Sequence, residues 1–359
     1  MTWRYIAARA LTGEILDWDL PLNRDELTWG LSRSGSLRGT IKPDVGQLRA
    51  GDGRLLLEEW GTMLYAEADQ QIRWAGIVVS SGFEGAQWRI EAAGVSAYPH
   101  GIPYLGEWRP VTVDPAAAIR HVWDHLQTFA NGDLGVQVVG DTPVRIGTTQ
   151  EPYQLSWWDA TDCGREIEQL AREAPLEWVE EAAWSSPGST AVTHTLRLGY
   201  PRLGRRRSDL AFVQGDNVTG VVPVLRSGDD YANEVVGLGA GEGRKMVFSR
   251  LPVIDGRLRR VAVRSDKSVT AASRMDALCR DDLTARQGLP EIAEIEVDDH
   301  PNAVLGSWAP GDDILVQATV PWLGDVSIWS RVIGWSLTGE HRARVALMRS
   351  DRFVYGGSA

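Results

Sequence analysis

The chain is poor in cysteine, phenylalanine and net positive charge, and it has no long apolar run. Only two cysteines occur in 359 residues, Cys163 and Cys279. Both fall in stretches with helical patterning, which favours free thiols in a reducing compartment over a disulfide scaffold. Lysine and arginine number 37 against 48 aspartate and glutamate, a net charge of −11. A nucleic-acid grip needs a basic face to displace counterions from phosphate, so that class is disfavoured. No stretch approaches the roughly 18 apolar residues of a membrane-spanning helix. The opening MTWRYIAARALTGEILDWD lacks the basic-then-apolar layout of a signal peptide. Synthesis in the cytoplasm, with nothing to export or anchor the chain, is the expectation.

Tryptophan is abundant: 16 residues against 5 phenylalanine and 8 tyrosine. Its large rigid surface suits interfaces, carbohydrate platforms and cores alike. The most informative pattern is a hairpin that appears twice. From Ile72 the chain reads IRWAGIVVSSGFEGAQWRIEAAG, and from Ile328 it reads IWSRVIGWSLTGEHRARVALM. Each copy has a Trp-containing apolar strand with a glycine (Gly76, Gly334), a turn with a glycine (Gly85, Gly339) and a closing strand of period two. Such alternation marks half-buried antiparallel strands. Two related β units predict duplicated barrels.

Further strands are expected around residues 5–11, 14–20, 27–33, 37–42 and 55–68. The period then changes. Asp114-Pro115 reads as an N-cap followed by a first-turn proline, and Ile119, Val122, Trp123, Leu126, Phe129 and Ala130 follow at helical spacing up to Gly132. A second helix is expected over 159–174, ended by Pro175, and a third over about 268–287, broken by Gly288-Leu289-Pro290. The fold class is therefore β-rich α+β and multidomain. The expected layout is a first β-barrel over 1–104, an α+β middle domain over 105–208, and a second barrel with one helix over 209–359.

Candidate chemistry is sparse. His121 and His125 in HVWDH have zinc-ligand spacing, but Val122 stands where a metalloprotease needs glutamate, and both fall on an expected solvated face. The GLGAGEG run, Gly237 to Gly243, misses the dinucleotide spacing and is followed by a strand-like RKMVF. It better suits a bent strand, or one approached closely by another backbone. There is no GxSxG elbow. Carboxylate pairs (Glu166/Glu168, Asp229/Asp230, Asp281/Asp282, Asp298/Asp299, Asp312/Asp313) mostly flank turns or helix ends. The basic runs 205–207 and 257–260 read as exposed strand edges or contacts to an acidic partner. No catalytic residue, metal or cofactor is expected.

Several stretches, in order along nearly the whole chain, resemble the minor tail proteins of phages with long non-contractile tails, especially those of high-GC Gram-positive hosts. They are LPLNRDELTWGLSRSGSLRGTI, WGTMLYAEADQQIRWAGIVV, YPRLGRRRSDLAF, DDYANEVVGLGAGEGR and the closing GDDILVQ with WSRVIGWSLTGEHRARVALM. The resemblance implies a tail-tip or baseplate hub, a homotrimer with two tube-like barrels per chain that adapts a sixfold tube and lines the DNA channel. Its implied partners are further copies of itself, tail tube proteins, the tape measure protein and downstream tip or fibre proteins, with DNA touched only non-specifically and no stable membrane anchoring. The chain departs from longer hubs in ending at Ala359 without an appended peptidase, lysozyme-like or receptor-binding domain. Contacts between copies are expected at Tyr231, Asn233, Glu234, Trp322 and Trp329. Two alternatives stay open: a glycan-binding tail module, for the tryptophans, and a tail-borne cell-wall hydrolase, for the carboxylates and HVWDH.

Overall fold

The computed structural model describes residues 2–42, 48–226, 228, 231–267, 269–287 and 290–350. Asp229, Asp230, Ser268, Gly288 and Leu289, named above, lie outside these residues. The first strands are β1 (Trp3–Arg9), β2 (Ile15–Asp17), β3 (Asn23–Gly30), β4 (Ser36–Ile41), β5 (Thr62–Ala68), β6 (Gln71–Glu84) and β7 (Gln87–Gly94). Next come β8 (Glu107–Trp108), α1 (Pro115–Gln127), β9 (Val136–Val139), β10 (Leu155–Ser156), α2 (Cys163–Glu173), β11 (Glu177–Trp184) and β12 (Val192–Gly199). The chain continues through β13 (Phe212–Val213), β14 (Val218–Thr219), β15 (Val224–Arg226), β16 (Glu234–Leu238), β17 (Phe248–Pro252), β18 (Val261–Ser265) and α3 (Ala272–Gln287). It closes with β19 (Pro290–Ile292), β20 (Glu294–Asp298), β21 (Asp313–Val320), β22 (Gly324–Leu337) and β23 (Arg342–Arg349).

Two compact units result, neither contiguous in sequence. One contains Met1–Arg205, Asp298–Asp312 and Ile333–Val345; the other contains Arg206–Val297, Asp313–Val332 and Ala346–Ala359.

In the first unit, β2, β1, β5, β6, β7, β4 and β3 pair in that order, all antiparallel. Gly334–Leu337 of β22 then pairs with β3. The central strands bury both faces: Ile6, Met63, Tyr65 and Ile77 on one are each at most 3 % exposed, and Ala7, Leu64 and Ala66, which alternate with them, are fully buried. The same core takes in α1 and α2, through Ile119, Val122, Trp123, Leu126, Ile167 and Leu170, and a three-stranded sheet β11-β12-β9. Helix α1 begins as its sequence dictates. The Asp114 carboxylate accepts the Ala116 amide at 2.9 Å, and Pro115 occupies the first turn. It ends at Gln127, earlier than its apolar spacing implies, leaving Phe129 outside the helix and exposed. Helix α2 likewise starts later than expected. Asp162 caps it by accepting from Arg165 N, whereas Asp159 sits in a short 3-10 turn.

In the second unit, β13, β21 and the first half of β22 form one group, β21 pairing with Gly324–Arg331 of β22. A smaller layer is built on β16, which runs antiparallel to β17 and parallel to β18. Helix α3 covers one face of this sheet, with Val235, Val269, Met275, Leu278, Cys279 and Leu283 as core. At Gly237, the first glycine of the run, a Cβ would lie 2.5 Å from Cys279 Sγ and 2.6 Å from Met275 Sδ, so helix side chains pack directly onto the strand backbone. The residues after the run do not continue as a strand. Gly243–Lys245 form a 3-10 turn and β17 starts at Phe248.

Both expected hairpins form, and their strands match in order and length. β6 and β22 each have 14 residues, and β7 and β23 each have 8. Each hairpin follows a strand paired to its first member, β5 to β6 and β21 to β22. The expectation of two barrels is not met in that form. Among the described residues no barrel closes, and in the first unit the Gly334–Leu337 segment shares a sheet with β6 and β7 through β3 and β4. The reason is edge pairing. The open edges of β3 and β22 satisfy each other's backbone groups instead of each meander curling onto itself.

Candidate interaction surface

The groups that sequence alone offers for catalysis are held in structural roles. His121 and His125 are half-buried instead of solvated. The His121 ring stacks on Trp108 with centroids 3.9 Å apart, and its Nε2 is hydrogen-bonded to the Tyr104 hydroxyl at 2.9 Å. His125 Nε2 accepts the Leu105 amide at 3.1 Å. Burial lowers the pKa of both, so they act as neutral imidazoles that fasten the 104–108 segment to α1. Among the described residues, no three His, Cys, Asp or Glu side chains are grouped to hold a metal ion.

Many of the carboxylates among the described residues likewise have partners. Glu166 accepts the Tyr153 hydroxyl at 2.5 Å, Asp282 pairs with Arg264 at 3.1 Å, and Asp312 accepts the Arg205 amide at 3.0 Å. Asp298 pairs with Arg342, and Asp299 accepts the Leu305 amide at 3.0 Å. Both thiols are buried. Burial pushes Cys163 up to about 12 and raises Cys279, which removes the reactive thiolate.

Six of the sixteen tryptophans are core residues. Trp74, Trp88, Trp123, Trp178, Trp308 and Trp335 are each at most 7 % exposed. In the first unit Trp3, Trp29, Trp335 and Trp308 form a chain of ring contacts beside a cavity of about 400 Å³. Glu180 also lines it; burial raises its pKa, and its oxygens accept the amides of Ser96 at 2.7 Å and Gly35 at 3.2 Å.

The residues expected at contacts between copies fall into two groups, both in the second unit. Tyr231, Asn233 and Glu234 are buried. They organise the segment that joins β17 to β18. Asp255 accepts from the Tyr231 hydroxyl and from Asn233 Nδ2, the latter at 3.1 Å. Asn233 also donates to Leu258 O at 3.2 Å and accepts the Arg260 amide at 2.8 Å. Glu234 receives Arg259 and Arg250, each at 2.7 Å, and these guanidinium groups hold its carboxyl at about 2. Trp322 and Trp329 belong to the β21–β22 hairpin. Trp322 is fully exposed at its tip, with a left-handed φ of +74° that a bulky side chain disfavours. Trp329 is half-buried, with the Arg206 guanidinium 4.5 Å over its ring.

The residues missed from sequence lie on the bare side of the β17-β16-β18 layer. Pairing register puts Val236, Leu238, Phe248, Val261 and Val263 on the face opposite α3. Phe248 is 58 % and Val263 64 % exposed, and Ile254 and Leu258 on the adjoining loop are nearly bare. The available signal was Ile254 and Leu258 interleaved with Arg257, Arg259 and Arg260 in an acidic chain.

With this architecture in hand, known structures give the comparison. The 43 kDa tail protein of prophage MuSo2 from Shewanella oneidensis matches with a TM-score of 0.58 at 13 % identity, covering 97 % of this chain and 99 % of that one. A tail protein from Neisseria meningitidis matches at 0.56 and 13 % identity over 98 % and 97 % of the two chains. Prophage tail protein gp18 from Listeria monocytogenes matches at 0.54 and 12 % identity over 96 % and 94 %. The chain has the fold of these phage tail proteins. No family model matches it, and no curated protein matches its sequence. At such identities the shared property is architecture, retained from end to end while nearly all side chains differ.

Proposed function

We propose that this chain is a structural component of a phage tail: a hub that assembles as a homotrimer at the tail tip and adapts the sixfold tube to the tip. The observation that carries this reading is the match along almost the full length of both chains to three tail proteins. The repeated three-strand meander supports it, since two related units per chain let three copies meet sixfold symmetry. The two meanders are read as the tube-facing parts, closing into ring walls only when neighbouring copies cover their edges. The placement among phages with long non-contractile tails and high-GC Gram-positive hosts rests on the sequence resemblance alone.

The partners follow from the role: further copies of this chain, tail tube protein, tape measure protein and downstream tip or fibre proteins. Passing DNA touches the wall only non-specifically, and the net charge of −11 discourages phosphate from adhering. Work of this kind is done by surfaces, and we assign the chain no enzymatic step. Antibody-gold labelling of intact particles tests the location. Gold at the tail tip is expected; gold on the capsid or along the tube shaft would overturn the hub.

A further inference from the structure

The layer built on β16 is half finished. A sheet with a helix on one face must bury its other apolar face or leave it exposed to water at a cost. Here α3 covers one face, while the opposite face presents Val236, Leu238, Phe248, Val261 and Val263 around the Glu234–Arg250 ion pair. Residues 252–261 are exposed throughout and add Ile254 and Leu258 at 100 % and 88 % exposure. A contiguous apolar patch of this kind marks an interaction site.

Charge indicates what it meets. Between Gly243 and Lys267 there are eight basic residues (Arg244, Lys245, Arg250, Arg257, Arg259, Arg260, Arg264, Lys267) and two acidic ones (Asp255, Asp266); with Glu234, paired to Arg250 and Arg259, and Asp282, paired to Arg264, the local charge is 8 − 4 = +4. The chain as a whole carries −11, so everything outside these residues carries −11 − 4 = −15. The complement of the patch is the remainder of its own chain. The loop is also held in shape before anything binds. Asp255 is fixed by Tyr231 and Asn233, and Arg259 by Glu234. A pre-organised loop loses little conformational entropy on docking.

We propose that the bare β17-β16-β18 face and the Ile254–Leu258 loop dock onto the acidic surface of a neighbouring copy of this chain. Donor and acceptor surfaces differ, so the contact is head-to-tail, the type that builds a ring when three copies complete one full rotation. The inference rests on the homotrimer reading and names the surface that makes it. Tyr231, Asn233 and Glu234 serve as positioning residues for the loop, and Ile254, Leu258, Phe248 and Val263 make the contact. A nucleic-acid site would instead centre on free cationic and stacking groups, whereas the arginine in the middle of this face, Arg250, is paired with Glu234 and the exposed residues around it are largely apolar.

Sedimentation velocity of the full chain, over a concentration series at low and high sodium chloride, tests the proposal. Expected are a trimer mass that grows in with concentration and association that weakens with salt. The Ile254→Asp/Leu258→Asp double variant should move the association midpoint up by about tenfold or more, the scale of a lost interface anchor. Its thermal midpoint should stay near wild type, since both side chains already face water. Arg257→Glu/Arg260→Glu, which leaves the apolar residues in place, should weaken association and reduce its salt dependence. Trp157→Ser, a change to an exposed residue of the first unit, should associate as wild type. A wild-type chain that stays monomeric throughout, or patch variants that associate unchanged, would overturn the proposal. So would a monomeric chain whose patch instead binds a short DNA duplex or phosphatidylglycerol vesicles. None of these results touches the tail-tip location, which gold labelling decides separately.

Discussion

Trp29 and Trp335 stack face to face, with centroids 3.9 Å apart and planes 6° from parallel, across the strand pair that ties β3 to β22. The next register step pairs Gly30 with Gly334. Both glycines make room for Arg33, whose side-chain atoms would lie 2.2 Å and 2.4 Å from a Cβ at those two positions. The junction that joins the two ends of the chain is thus an indole stack beside a glycine-lined guanidinium. Trp335→Ala should destabilise the first unit by about 3–5 kcal/mol, the usual cost of emptying a buried aromatic site. A double-mutant cycle with Trp29→Ala in denaturant unfolding should return about 0.5–1.5 kcal/mol of coupling. No coupling would show that the stack is incidental.

Trp123 is fully buried on the inward face of α1. Trp123→Ala should cost about 3–5 kcal/mol in denaturant unfolding. A change near zero would contradict the packing of α1 in the core of the first unit.

Acid should weaken the first unit through its histidines. His121, His125 and His194 all have pKa values lowered by burial. His194 lies between Leu134 O at 3.0 Å and the Tyr65 hydroxyl at 3.3 Å. A group with a folded pKa below its unfolded value binds more protons in the unfolded chain, so stability rises with pH across that interval. The three imidazoles therefore contribute stability above the unfolded pKa of about 6.5, and it is lost as pH falls through their folded values. Thermal midpoints measured on both sides of that value should drop on the acid side. His194→Gln should reduce the drop, and an unchanged pH slope in that variant would count against the assignment.

Gly237 lies against Cys279 and Met275 of α3. Gly237→Val should destabilise the β16 layer by about 1–3 kcal/mol through overpacking. Gly243→Ala meets no neighbour within 4 Å but sits at φ +55°, so its smaller cost is one of backbone strain. Equal effects in chemical denaturation would mean that the side chains of Cys279 and Met275 do not pack against Gly237.

Local physics was legible where it acts over short range. Alternation located β1 to β7 and the closing hairpin, and Asp114-Pro115 marked the start of α1. The choice of Asp162 over Asp159 as the cap of α2 was not, because Asp162 also accepts the Gly101 amide at 2.8 Å from a segment distant in sequence. Nor was the fate of the sheet edges. Whether a meander closes on itself or pairs with a strand from the other end of the chain depends on contacts such as Gly30 to Gly334, which periodicity does not encode. The Tyr231, Asn233 and Glu234 stretch stood out by its residue types. Its burial under Arg250 and Arg259 became visible only in three dimensions, as did the apolar face it props up.

The copy number of this chain in the assembled particle tests the hub most directly. Quantitative mass spectrometry of purified particles, scaled to a tail component of known stoichiometry, supplies it. Three copies per particle are expected; six or twelve copies around the tip, or a number matching the capsid, would contradict the hub.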